Sequence, residues 1–298
     1  MLKWTSFGAV ETPTLLQIRV QRSLSGRVRA GAPSPSRALS TEEVLRNLRY
    51  FTEEMKGPRT HPVNRLVLSG IGVAKRGDLG DIVAAADSFG CKQTTLHVGV
   101  DEVARFLPVS SHSITTVVVP VLSGARTDWS KQLKEAVSLT ERCNHAGVKV
   151  AINCTLSSMS IGAMDTLVAT MQSTPPASIS LTFPFPSNQM GALPSFEGAL
   201  KTLQRSVPIL ESLGISVGIK GLPPCFLGDL SRCCWRSSNR WYVDSEHQLD
   251  EALLFFPDVV NFTKVENCRF CKFDSQCDGF FGAYISSGRF PRMEPPSD

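Results

Sequence analysis

From Leu15 to Ile219, short runs of β-branched and aliphatic residues alternate with longer amphipathic stretches, and that alternation leaves the chain few ways to fold. Strands are read at 15–20, 65–70, 94–98, 113–122, 148–153, 178–183 and 215–219, and helices between them at 40–55, 78–89, 101–107, 129–145, 161–171 and 196–213. Ser40-Thr-Glu-Glu43 opens the first helix as a capping box. Behind it Val44, Leu45, Leu48, Phe51 and Met55 keep helical spacing. Gly90, Gly147 and Gly214 stand where the second, fourth and sixth helices stop. Strands joined through helices pair in parallel by right-handed crossovers. Seven strands are too few to close an eight-unit barrel. The predicted class is therefore α/β: a partial, open parallel β/α barrel of about six units with a small cysteine-rich C-terminal extension. In such folds ligands gather at the loops that follow the C-terminal ends of the strands.

The extension breaks the pattern. Cys268, Cys271 and Cys277 follow the spacing C-x2-C-x5-C. Three thiolates need a fourth ligand to complete a tetrahedral ion site or an iron–sulfur cluster. Cys225 in Gly-Leu-Pro-Pro-Cys is the best placed, because two prolines stiffen its approach, and Cys233 or Cys234 is the possible substitute. The site is read as Cys225, Cys268, Cys271 and Cys277. Arg269, Lys272, Asp274 and Asp278 make this segment too polar for inert burial, whereas Cys91, Cys143 and Cys154 lie in apolar patterns and read as core. Nine cysteines is an odd number, and no clean secretory signal precedes them, which argues against a disulfide framework. A zinc ribbon brings two C-x2-C knuckles and this chain has one, so a 4Fe–4S cluster is favoured, with zinc as the alternative. A helix or helix–turn is expected over 244–256. A segment this small buries too little surface to fold alone, and a bound cluster or metal would supply what is missing.

The rest of the chain sets limits on function. With 298 residues and 42% hydrophobic content it can bury a full core. A net charge of +4 and the lack of a basic stripe with interleaved aromatics give no reason to expect nucleic acid as a partner. No apolar run is long enough to span a membrane. Reduced cysteines point to a cytoplasmic compartment. Residues 1–40 hold Lys3, Arg19, Arg22, Arg27, Arg29 and Arg37 against Glu11 alone, a composition that suits either an organelle transit peptide or one strand followed by a polar loop. The strand reading is preferred because the sheet needs a first strand. The expected domains are then 1–40, 41–220 and 221–298. No phosphate-binding Gly-x-Gly-x-x-Gly after a strand, no Gly-x-Ser-x-Gly and no His-Glu-x-x-His occurs.

A β/α chain running from Gly-Leu-Pro-Pro-Cys225 into this tail resembles the radical SAM superfamily. The tail is similar to the family's twitch or SPASM-type extension, which carries an auxiliary 4Fe–4S cluster. Cys225, Cys268, Cys271, Cys277, Gly279, Tyr284 and Gly288 stand in the places of that extension's motif. Ser40-Thr-Glu-Glu43, Leu66-Val-Leu-Ser-Gly70 and Phe183-Pro-Phe-Pro186 add weaker echoes. The resemblance implies a rim on which Ser69, Gly70, Asn153 and Thr155 contact any S-adenosylmethionine or other adenosyl-type ligand.

The chain departs from the family at the loop after the first strand. There the family's C-x3-C-x2-C is replaced by Gln21-Arg-Ser-Leu-Ser-Gly-Arg-Val-Arg-Ala30, and no cysteine precedes Cys91. The family's Gly-Gly-Glu-Pro loop reads Ser69-Gly-Ile-Gly-Val73. Arg22, Arg27 and Arg29 are read as solvated, or as a site for a phosphate or an acidic peptide. The resemblance thus implies a radical SAM-like protein with an auxiliary cluster and no reductive cleavage of S-adenosylmethionine. It would be a pseudoenzyme or accessory partner of a bona fide radical SAM enzyme that acts on a peptide or metabolite. Two alternatives stay open: an active enzyme with ligands drawn from Cys91 and Cys154 or with a different N-terminus, and a zinc-stapled binding module on a β/α scaffold.

Overall fold

A computed structural model describes residues 13–21, 37–55, 62–99, 102, 114–121, 129–184, 193–235, 238–255, 262–277, 279–288 and 290–293. In chain order its elements begin β1 (Leu15–Arg19), α1 (Thr41–Arg49), β2 (Arg65–Ser69), α2 (Leu79–Ser88), β3 (Gln93–His97), β4 (Ile114–Val121), α3 (Trp129–His145) and β5 (Lys149–Thr155). They continue α4 (Ser158–Gly162), α5 (Met164–Ser173), β6 (Ser178–Thr182), α6 (Phe196–Ser212), β7 (Ser216–Lys220) and α7 (Pro224–Leu227). The last are β8 (Arg240–Val243), β9 (Leu253–Phe255), β10 (Phe262–Thr263), β11 (Phe280–Phe281) and α8 (Gly282–Ser286). Two compact units divide the chain. One comprises Met1–Val119, Arg142–Lys149 and Ser238–Phe255, and the other Pro120–Glu141, Val150–Ser237 and Phe256–Asp298.

The first unit is built on the strand order β4-β3-β2-β1-β8-β9. β1 and β2 pair in parallel with Leu16 opposite Leu66 and Ile18 opposite Leu68. These four side chains are fully buried, the period-two signal that made both strands legible. α1 starts as expected: the Ser40 hydroxyl accepts from the Glu43 amide (3.2 Å), and the Glu43 carboxylate accepts from the Ser40 amide (2.9 Å). Arg37 also pairs with Glu43 and holds its carboxyl well below the usual range. A π-helical turn, Tyr50–Glu54, extends α1 and buries Phe51. α2 buries Leu79, Ile82, Val83 and Ala86.

Of the helix or helix–turn expected over 244–256, the described residues form only the 3₁₀ turn Leu249–Glu251, and strands take the place of an α-helix. β8 pairs in parallel with β1, placing Trp241 opposite Leu16, and β9 returns antiparallel on β8. The turn between them has a side-chain cause. Asp244, 1% exposed, accepts the amides of Glu246 (2.9 Å) and His247 (3.1 Å), bonds that compete with a helical ladder. Leu249 then takes φ +53° and gives its amide to Asn47 Oδ1 (2.9 Å), fastening the turn to α1.

The second unit holds β5, β6 and β7, paired in parallel in that order, with Ile152 opposite Ile179 and Ile179 opposite Val217. α3 covers the expected span, and the helix expected over 161–171 arrives as α4 and α5. The Ala163 amide turns back to the Ser160 carbonyl (3.1 Å) and breaks it. β10 and β11 form an antiparallel pair with Phe262 opposite Phe281. The fold is α/β, mostly parallel, of the partial, open β/α-barrel type. No helix among the described residues is long and apolar enough to cross a membrane. Arg22, Arg27 and Arg29, Phe185 and Pro186, and all of the helix expected at 101–107 except Glu102, lie outside the described residues.

Candidate metal centre

All four cysteines of the sequence reading lie in the second unit. Pro223 caps α7 and Pro224 opens it, where a missing amide and a fixed φ cost nothing. Leu222, Phe226 and Leu227 are buried while Cys225 between them is only half-buried, so the thiol turns away from the core. Cys268 lies in a 3₁₀ turn, Glu266–Phe270, and Cys271 caps it, with the Cys271 amide donating to the Cys268 carbonyl (3.0 Å). Side chains three residues apart eclipse in such a turn, which is how C-x2-C puts two sulfurs on one side. A second turn, Asp274–Gln276, leads to Cys277. Lys264 clamps it by donating to the Asp274 carbonyl (2.6 Å) and carboxylate (2.7 Å). The Gly279 amide donates to Cys277 Sγ (3.2 Å). Gly279 has φ +100°, and a Cβ there would sit 2.3 Å from the Thr263 carbonyl oxygen, so the return onto β11 requires glycine.

The four sulfurs converge. The Cys225 thiol is pushed up to about 12, by burial first and then by the negative sulfurs of Cys277, Cys271 and Cys268. Such a set is unfavourable as thiolates alone and becomes favourable around a positive centre. Of the cysteines considered for the fourth sulfur, Cys225 is the one that feels Cys268, Cys271 and Cys277. Cys233 Sγ lies 3.4 Å from Glu211 Oε1, and Cys234 Sγ lies 3.6 Å from the Leu222 carbonyl oxygen. Cys91, Cys143 and Cys154 are core residues at 1%, 0% and 0% exposure. Burial raises their thiols to about 11, 11 and 12.

Among the described residues, one set of three ligating side chains has its ligand atoms within 4.8 Å of one another: Asp244, Glu246 and His247. His247 thus stands beside two carboxylates, a grouping that sequence spacing between histidines did not indicate. Its Nδ1 lies 3.0 Å from the same Asp244 oxygen that accepts the two amides, so this group closes a turn.

The rim residues are taken up within their own units. In the first, Ser69 is 6% exposed and its hydroxyl accepts from Gln17 Nε2 (3.0 Å). Gly70 has φ +112°, and a Cβ would lie 2.5 Å from the Gln21 carbonyl oxygen. In the second, Asn153 Oδ1 accepts from the Thr182 hydroxyl (3.0 Å), and Thr155, at the end of β5, is half-buried. Sequence reasoning missed Glu102, which is 5% exposed and whose carboxylate accepts the amides of Gly72 and Ala74. It thereby orders the loop after β2 from the segment after β3, a tertiary contact with no signature in the chain. Glu102→Ala strands two amides and is expected to cost about 2–3 kcal/mol. A lowered urea midpoint with unchanged metal content would register it.

No protein family model matches the chain, and no curated protein sequence matches it. Solved structures do. Streptococcus suis SuiB bound to S-adenosylmethionine has 14% identity and a TM-score of 0.58, covering 96% of this chain and 76% of that one. The same protein bound to precursor peptide SuiA has 16% identity and a TM-score of 0.56, covering 97% and 76%. Native anSMEcpe with bound AdoMet has 11% identity and a TM-score of 0.58, covering 94% and 92%. At these identities the likeness is one of fold: the chain shares the mostly parallel, partial β/α-barrel fold of these structures.

Proposed function

We propose that this is a radical SAM-like protein that holds an auxiliary 4Fe–4S cluster on Cys225, Cys268, Cys271 and Cys277. It has lost the core cluster and serves as an accessory partner in peptide-modifying chemistry. The observation that carries the reading is the convergence of four thiols from two distant segments of one unit. A zinc ion with bonds of about 2.3 Å draws its sulfurs to about 3.8 Å of one another. Zinc is the alternative occupant of the same four thiols, and the metal assay below distinguishes the two. Bound there, a 4Fe–4S cluster supplies a one-electron redox centre. The chain's own part is to bind it through four thiolates, to hydrogen-bond one of them from Gly279, and to hold the loop with Lys264. For the core cluster the residues do not fit, because the sequence offers no thiolate before Cys91, and no step is derived through it. A peptide as partner agrees with the fold neighbours, one solved with its precursor peptide and another with a Kp18Cys peptide.

The test is an iron and acid-labile sulfide assay with EPR on protein purified without oxygen, followed by incubation with a reductant and S-adenosylmethionine. About four irons per chain are expected, and no 5′-deoxyadenosine. Turnover to 5′-deoxyadenosine would overturn the loss of cleavage. One equivalent of zinc with no iron would make the protein a zinc-stapled binding module.

A further inference from the structure

A cleft of about 590 Å³ opens beside the cysteine loop, lined by residues 265–267, 285, 288 and 290–293. That volume lies within the range of pockets that take small ligands, roughly 300–1,000 Å³. Its wall joins two kinds of surface. Ile285, Phe290 and Met293 present apolar side chains, while Glu266, Asn267 and Arg292 present polar ones. Glu266 is paired with Arg269 (3.1 Å). Arg292 is exposed and has no hydrogen-bond or ion-pair partner among the described residues, and the same is true of the Asn267 side chain. An uncompensated guanidinium and a free amide over an apolar wall suit an anion carried on an apolar body. The carboxylate is the anion whose two oxygens match the guanidinium fork.

We propose that this cleft receives the C-terminal end of a peptide, with the free α-carboxylate on Arg292 and Asn267 and an apolar terminal side chain against Ile285, Phe290 and Met293. Capture of a terminal carboxylate is an established mode of peptide recognition. The peptide class of ligand rests on the function proposed above, whereas the cleft and its unpaired cation do not. Because Asn267 directly precedes Cys268, a bound terminus would lie against the cysteine loop.

The test uses the full chain purified without oxygen and a labelled hexapeptide ending in leucine, titrated by fluorescence anisotropy. The same peptide with an amidated terminus should bind at least about tenfold more weakly, the loss of one charged hydrogen-bonded contact. Arg292→Glu should lose binding by at least as much and Arg292→Lys should keep part of it, both with wild-type iron content and circular dichroism. Equal affinity for acid and amide, an unaffected Arg292→Glu, no peptide binding, or free leucine binding as tightly as the peptide would each overturn the proposal. Iron measured on the same samples separates the two readings. Peptide binding without iron defeats the cluster alone, and iron without peptide binding defeats the cleft alone.

Discussion

Cys271→Ala, purified without oxygen, is expected to hold at least tenfold less iron than the wild type and to lose its brown absorbance. The size of the effect follows from how little else organises this loop. Among the described residues between Lys264 and Gly279 the regular structure is two 3₁₀ turns, and none of their residues is buried. Phe270, between two of the cysteines, is 74% exposed. The holding contacts are polar: the Lys264–Asp274 pair and one amide on Cys277. Contacts of this kind contribute on the order of 1 kcal/mol each and cannot replace the free energy of metal binding. With one thiolate gone, the remaining three leave an iron open to solvent. The loop should then open as well, and trypsin should cut after Arg269, whose side chain is 63% exposed, and after Lys272. Cys234→Ala serves as the control. Its sulfur faces the Leu222 carbonyl, so that variant should keep all its iron. A Cys271→Ala protein with full iron would remove the four-cysteine site.

The fold was legible where local signals and tertiary demands agree. The Leu16/Ile18 and Leu66/Leu68 alternations and the Ser40–Glu43 capping box are written in neighbouring residues, and each forms as read. The tail was legible only in part. C-x2-C-x5-C is a local pattern that the 3₁₀ turns realise, but the choice of Cys225 over Cys233 or Cys234 depends on which way each thiol faces across the unit. The segment 244–256 reads as a helix or helix–turn because its leucines and acids fit a helical period, and of this the described residues keep only the 3₁₀ turn Leu249–Glu251. Asp244 outweighs that period by accepting two amides, and Leu253–Phe255 find a partner in β8 that no short window contains. The β-forming Arg-Trp-Tyr-Val of β8 was the available signal. Glu102 had none: its partners lie about thirty residues upstream in the chain.

Phe280→Ala is expected to lower stability by about 3–5 kcal/mol, the usual cost of emptying a buried phenylalanine site. It should take the iron with it although it supplies no sulfur. Phe280 is 0% exposed, and its ring lies 5.3 Å from Phe226, 5.5 Å from Tyr284, 5.2 Å from Phe290 and 6.5 Å from Phe183. The pairs with Phe226 and Phe290 are edge-to-face, and pairs of that kind add about 0.5–1.5 kcal/mol beyond area burial. Tyr284 extends the anchor through its hydroxyl, which donates to the Pro184 carbonyl (2.7 Å). Phe226 follows Cys225 directly, and Phe280 stands three residues after Cys277, so this one contact joins the two segments that supply the sulfurs. The two variants should therefore separate. Cys271→Ala loses iron while near-UV circular dichroism and the urea midpoint stay close to those of metal-free wild type. Phe280→Ala loses iron, aromatic signal and midpoint together. Phe280→Leu, which keeps most of the volume, should cost less than about 1.5 kcal/mol and retain the iron. If Phe280→Ala unfolds at the wild-type midpoint, the aromatic cluster is not what brings Cys225 to the other three.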